Sequence, residues 1–168
     1  MNIGHYAMAT DDNDDWAPME HPGHYFSRIN RGLTRVGDAR LRSVGLATAQ
    51  LPVLSMLSND EQLSQSELAK RAKVEQPTMA QLLARMERDG LIRREPDPAD
   101  RRSSLVALTN TARERLPAGR QVLREGNAEM TRGLSKEEVA TLVGLLRRVL
   151  VNVDAMQPER GEGDKSPR

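Results

Sequence analysis

The chain has 168 residues, a formal net charge of +1 and no cysteine. That length supports one subunit with a hydrophobic core, and the missing cysteine excludes disulfides, thiolate zinc sites and thiol redox sensing. The near-neutral total excludes a uniformly basic nucleic-acid coat, no apolar run reaches the length of a membrane span, and no cationic leader before an apolar segment, hence no signal peptide, is expected.

In chain order, residues 1–20 form an acidic segment, with Asp11, Asp12, Asp14, Asp15 and Glu20, and are expected to be largely disordered. A helix is expected from His24 to about Ser43, basic through Arg28, Arg31, Arg35, Arg40 and Arg42, with an apolar stripe of Phe26, Ile29, Leu33 and Val36. A second runs from Ala47 to Leu57, with Pro52 suited to its first turn. Ser64 and Glu67 have capping-box spacing, so a third helix should begin at Gln65. Val74 breaks that pattern into a turn.

The next helix runs from about Pro77, which suits a first helical position, to Arg88, with Gly90 as its stop. Met79, Leu82, Leu83 and Met86 make its apolar stripe. Thr78, Gln81 and Arg85 recur on a different face, with Gln76 just before the helix. Gln can pair with adenine, Arg with guanine, and a Thr methyl can touch thymine. By itself this face reads more readily as the solvated side of an ordinary amphipathic helix.

The residues beyond Gly90 tip that balance. Leu91 to Glu95 reads as a strand and Ser103 to Leu108 as its partner. Between them, Pro96 to Arg102 can be neither helix nor central strand, because two prolines interrupt it. Asp100 lies two residues before Arg102, close enough to brace the guanidinium, and Arg101 adds a second cation. The order is helix-turn-helix plus wing, in which a helix end enters the major groove and wing arginines reach phosphates or the neighbouring minor groove.

After the wing a long helical region starts at Thr109, where Pro117 is expected to bend or restart it and Gly119 and Gly126 to weaken it. Ser135 and Glu138 form another capping box and open a last helix to about Met156. Its apolar seam is Val139, Leu142, Val143, Leu146, Val149, Leu150 and Val153, which could close on the subunit's own core or on a second chain. Residues 157–168 are polar and expected to be disordered.

The pieces SELAKRAKVEQPTMAQLLARMERDGLIRRE and DPADRRSSLVALT resemble the MarR family of bacterial winged-helix regulators. The lead-in Val74 to Thr78 is most similar to the SlyA-type branch, and Asp100-x-Arg102 followed by Leu105-x-x-Leu108-Thr109 is the more specific motif. The resemblance covers roughly Tyr25 to Val153. It departs from the commoner pattern at Ala112, where many members carry Gly.

The resemblance implies a mainly α fold with a small β-wing, a winged helix-turn-helix plus a helical dimerisation region. Residues 21–46 would form an N-terminal dimerisation helix, 47–109 the DNA-binding domain and 110–156 C-terminal dimerisation helices. A homodimer would present two recognition helices to a pseudo-palindromic operator in double-stranded DNA. The function implied is a cytoplasmic transcriptional repressor released by a small aromatic or phenolic ligand. Gln76, Thr78, Gln81, Arg85, Asp100, Arg101 and Arg102 are the DNA-binding candidates. Tyr25, Phe26, Arg28 and Arg31 are the effector-pocket candidates, since aromatic and cationic groups suit such a ligand.

Two other readings stay open: a winged helix that binds protein rather than DNA, and a metal-responsive regulator using His21 and His24 with His5 or Glu20. The polar N-terminal setting of those histidines favours ordinary surface groups. No nucleophile–base motif, P-loop or dinucleotide fingerprint is present, so no enzyme and no cofactor are expected.

Overall fold

The computed structural model describes residues 17–98 and 103–156. The acidic stretch through Asp15, with His5, the wing tip with Asp100, Arg101 and Arg102, and the tail after Met156 lie outside the described residues. The chain divides into two compact units, one through Leu123 and one from Arg124.

After a 3-10 turn at Pro18–Glu20, the first unit continues with α1 (Pro22–Leu41), started by Pro22 where the ring costs no backbone bond. Two short 3-10 turns, Arg42–Val44 and Thr48–Gln50, lead into α2 (Leu51–Met56), with Pro52 in its first turn. The strand β1 (Leu63–Ser64) is followed by α3 (Gln65–Ala72), α4 (Gln76–Arg88), β2 (Ile92–Pro96) and β3 (Ser104–Leu108). The three strands form one antiparallel sheet in the order β1-β3-β2, with Leu63 opposite Val106 and Ile92 opposite Leu108. This is a winged helix-turn-helix: mostly helical, with the sheet carrying the wing.

Helix starts and stops follow local chemistry. Ser64 Oγ accepts the Glu67 N–H at 3.2 Å and caps α3. The other half of the expected box is diverted, because the Glu67 carboxylate takes Arg71 Nε at 2.9 Å. α4 ends in a Schellman turn. Gly90 N–H reaches Glu87 O at 3.0 Å, Leu91 N–H reaches Met86 O at 2.9 Å, and Gly90 adopts φ +69°, which glycine accepts without a Cβ clash.

Thr109 then joins the two ends of the wing. Its N–H donates to Leu91 O at 3.1 Å and its hydroxyl to Gly90 O at 2.6 Å, while the same Oγ accepts the Ala112 N–H at 3.2 Å and caps the following helix.

That helix, α5 (Asn110–Met130), runs unbroken through Pro117. The expected restart does not occur. Pro117 and Arg113 both face solvent, so the carbonyl that loses its helical donor remains open to water, while Leu116 and Gly119 on the opposite side are buried.

The core is built by Val53, Leu54 and Leu57 of α2, Leu68 of α3, Met79, Leu83 and Met86 of α4, and Leu91, Val106 and Leu108 of the sheet region. Each fully buried side chain of this kind is worth about 1.5–3 kcal/mol relative to exposure. Leu41, Leu46, Ala112 and Leu116 join the same cluster, so this core extends beyond the span 47–109 on both sides. The α1 stripe does not contribute to it: Phe26, Ile29, Leu33 and Val36 are between 38% and 50% exposed.

The second unit comprises the end of α5, a turn at Gly133 and α6 (Lys136–Met156). Here the capping box closes both ways, with Glu138 N–H on Ser135 Oγ at 3.2 Å and Ser135 N–H on Glu138 Oε2 at 2.7 Å. The seam from Leu142 to Val153 is exposed in the single chain, at 40% for Leu146 and 37% for Val149.

Asp38 of α1 anchors the 3-10 turn at Thr48–Gln50, its Oδ1 accepting the Thr48 N–H at 2.7 Å. That bond above all, with Arg42 nearby, holds the Asp38 carboxyl below its ordinary range. A depressed folded-state value stabilises the fold above the usual carboxylate pKa, and the contribution is lost as pH falls through the folded-state value. Asp38→Asn should therefore show a weaker loss of stability than wild type between about pH 7 and about pH 3, measured by urea unfolding.

Candidate nucleic-acid interface

α3 and α4 meet through a tight turn in which Lys73 takes a left-handed conformation at φ +53°. The turn sets α4 against the core with Met79, Leu83 and Met86 fully buried and Leu82 partly so. That packing leaves Gln76, Thr78, Gln81 and Arg85 exposed along one side of the helix. Arg85 has no hydrogen-bond or ion-pair partner among the described residues, so its fork of donors is available to an incoming acceptor.

Four other arginines around the motif are engaged. Arg71 bonds Glu61 at 3.0 Å as well as Glu67. Arg94 pairs with Glu87 at 3.3 Å. Arg93 pairs with Glu95 at 2.6 Å and also donates to the Leu108 carbonyl. Arg113 holds Asp60 at 2.7 Å and Leu108 O at 2.8 Å. These pairs are exposed and contribute little to stability, but they lower the net positive charge of the surface they occupy.

The structure adds one residue that sequence reasoning passed over. Gln65, at the start of α3, approaches Gln76 Oε1 at 3.5 Å and so lies beside the first residue of α4. No spacing rule links residues on two different helices, so only the folded turn reveals it.

The four pocket candidates lie on α1. Tyr25 and Phe26 are exposed, and Tyr25 meets His24 edge-on, with centroids 5.5 Å apart. Arg31 donates to Ser27 Oγ at 2.6 Å, and Arg28 is exposed. None of the four lines a cavity of about 350 Å³ that opens instead among Asp38, Arg42, Leu46, Ala47, Gln50 and Asp89. Among the described residues, no group of three or more His, Cys, Asp or Glu could hold a metal ion, and no helix is long and apolar enough to cross a membrane.

Comparison with known proteins agrees with this geometry. The MarR family profile matches residues 44–103. The HTH-type transcriptional regulator YdgJ of Bacillus subtilis (strain 168) is 28% identical over 128 residues, covering 76% of this chain and 78% of its own. A cysteine-to-serine mutant of MarR from E. coli, solved in complex with operator DNA, superposes with a TM-score of 0.70 at 29% identity, over 76% of this chain and 92% of its own. A probable transcriptional regulator from Pseudomonas aeruginosa gives 0.71 at 28% identity, over 78% and 98%. Over residues 44–103 the chain is similar to the MarR family, and its winged-helix fold is that of the MarR-type transcriptional regulators it resembles.

Proposed function

We propose that this protein is a cytoplasmic homodimeric repressor that binds a pseudo-palindromic operator and is released by a small aromatic or phenolic ligand. The observation that carries the sequence-specific part is the exposed face of α4, where Gln76, Thr78, Gln81 and the available Arg85 lie opposite the buried Met79, Leu83 and Met86. These residue types present bidentate amide and guanidinium donors of the kind that read base edges. The MarR mutant bound to operator DNA supports the same use of the fold. Within the family, the Val74 to Thr78 lead-in favours the SlyA-type branch.

The dimer reading rests on two apolar stripes that the single chain leaves exposed, one on α1 and one on α6. A soluble protein gains by covering such surface. Residues 21–46 and 110–156 would supply the dimerisation helices, and 47–109 the DNA-binding domain. Release by a ligand requires that it bind one spacing of the two recognition helices more tightly than the other. Tyr25, Phe26, Arg28 and Arg31 offer aromatic and cationic contacts to an aromatic acid.

The direct test uses a duplex selected by the wild-type protein from a random-sequence pool. Gln81→Ala and Arg85→Ala should each lower the preference for that duplex over a scrambled one, since a good bidentate contact is worth about 1–3 kcal/mol of discrimination. Unchanged preference in both variants, measured by fluorescence anisotropy, would refute the assignment of α4 as the base reader.

For the wing, Arg102→Ala should weaken binding and reduce its salt dependence by roughly one counterion per lost contact in each wing. Asp100→Ala keeps the cation but loses its bracing, so affinity should fall with a smaller change in salt slope. Titrations at several salt concentrations distinguish the two, and wild-type affinity and slope in folded Arg102→Ala would remove the wing from the interface.

Charged replacements at Leu146 and Val149 should lower both the dimer population and DNA affinity. Sedimentation at micromolar concentration reads the first directly, and a monomeric wild type would end the dimer reading.

A further inference from the structure

The C-cap residue of α4, Asp89, receives Gln50 Nε2 at its Oδ2 over 3.3 Å. Gln50 is only 8% exposed, and its Oε1 accepts the Ala47 N–H at 2.9 Å. Two residues earlier in the same turn, Thr48 N–H is held by Asp38 of α1. The turn at residues 47–50 is thus bonded to α1 on one side and to the end of α4 on the other.

A carboxylate at position 89 is electrostatically misplaced. It sits at the negative end of the α4 dipole, where a cation or a neutral group is preferred. It also adds negative charge to the helix that meets a polyanion. Gln50 supplies the reason for it. The amide is buried, its oxygen is committed to Ala47, and its N–H₂ needs an acceptor, because a buried donor left unsatisfied is costly. The Asp89 carboxylate provides that acceptor at the C-terminal end of α4.

Leverage makes the bond matter for recognition. α4 has 13 residues and so is about 20 Å long. A small tilt at Asp89 is carried to Gln76 and Thr78 at the far end, where base-edge hydrogen bonds tolerate only a few tenths of an ångström. Phosphate contacts are less demanding of alignment.

We propose that Gln50 and Asp89 are positioning residues whose bond sets the tilt of α4 relative to α1, and so govern operator discrimination without touching DNA. The proposal rests on α4 being the base-reading helix. It gives the Asp38–Thr48 and Gln50–Asp89 bonds a joint role as the hydrogen-bonded route between α1 and the reading helix.

The test compares two variants of the full chain that remove the same charge. Asp89→Asn keeps an acceptor for Gln50, and Asp89→Ala does not. Both should fold, since Asp89 is exposed. On the selected duplex against a scrambled one, Asp89→Asn should hold the wild-type ratio and Asp89→Ala should lose about fivefold, the value of one net hydrogen bond.

A second arm reverses the bond. Gln50→Glu sets two carboxylates against each other and should lower the ratio. Combining it with Asp89→Asn re-forms the bond with donor and acceptor exchanged and should restore the ratio. Equal ratios for the Asn and Ala variants, or a double variant no better than Gln50→Glu alone, overturn the proposal. Gln81→Ala and Arg85→Ala separate the two failures. If both leave the preference intact, α4 is not the base reader and the positioning role falls with it. If either lowers the preference while the Asn and Ala variants stay equal, the positioning role falls alone.

Discussion

The rotation of α4 about its own axis is the constraint on which the rest of the interface depends. Met79, Leu83 and Met86 have no solvent exposure, and their spacing of three and four residues allows one rotational setting against the core. Once they are buried, the side from Gln76 to Arg85 has to face outward. A slip of one residue would bury Arg85 in one direction or Glu87 in the other, a charge without a partner, which costs more than any single base contact returns. Packing energy of the core therefore sets the geometry of the polar surface, and the polar residues need no bonds of their own to hold their direction.

Charge is distributed with similar economy. The first unit carries many arginines, yet Arg71, Arg93, Arg94 and Arg113 are each engaged by a carboxylate, while Arg85 has no such partner among the described residues. Exposed pairs of this kind do little for the fold. Their effect is to lower the net positive charge around the helix-turn-helix while Arg85 keeps its guanidinium exposed. A polyanion approaching this surface meets a pattern of cations, in keeping with a chain whose total charge is only +1.

Much of this was legible in the chain itself, for reasons that differ by element. The α4 stripe and the Ser135–Glu138 cap could be read because helical period and capping are local rules, and the structure follows both. The strand Leu63–Ser64 could not, since two residues carry no period and the strand exists only through its register with Leu105 and Val106. Pro117 misled, because the breaking rule ignores which side of a helix meets water. Gln50 was invisible for a third reason: glutamine is mostly a surface residue, and its partner Asp89 lies 39 positions away. The α1 and α6 stripes were legible as apolar, but their exposure in the single chain was not, since a helical period does not encode what a stripe packs against.

The closure made by Thr109 has a consequence for how such a protein can diversify. Its bonds to Gly90 and Leu91 pin together the two ends of the wing, so residues 92–108 form an excursion whose base stays shut whatever its tip contains. Lengthening a loop that is already closed is cheap, about 0.6 kcal/mol for each doubling. Inheritance can therefore rewrite the wing tip, by insertion as readily as by substitution, while the helices on either side of the closure keep their places. The fingertip can evolve at a faster clock than the hand.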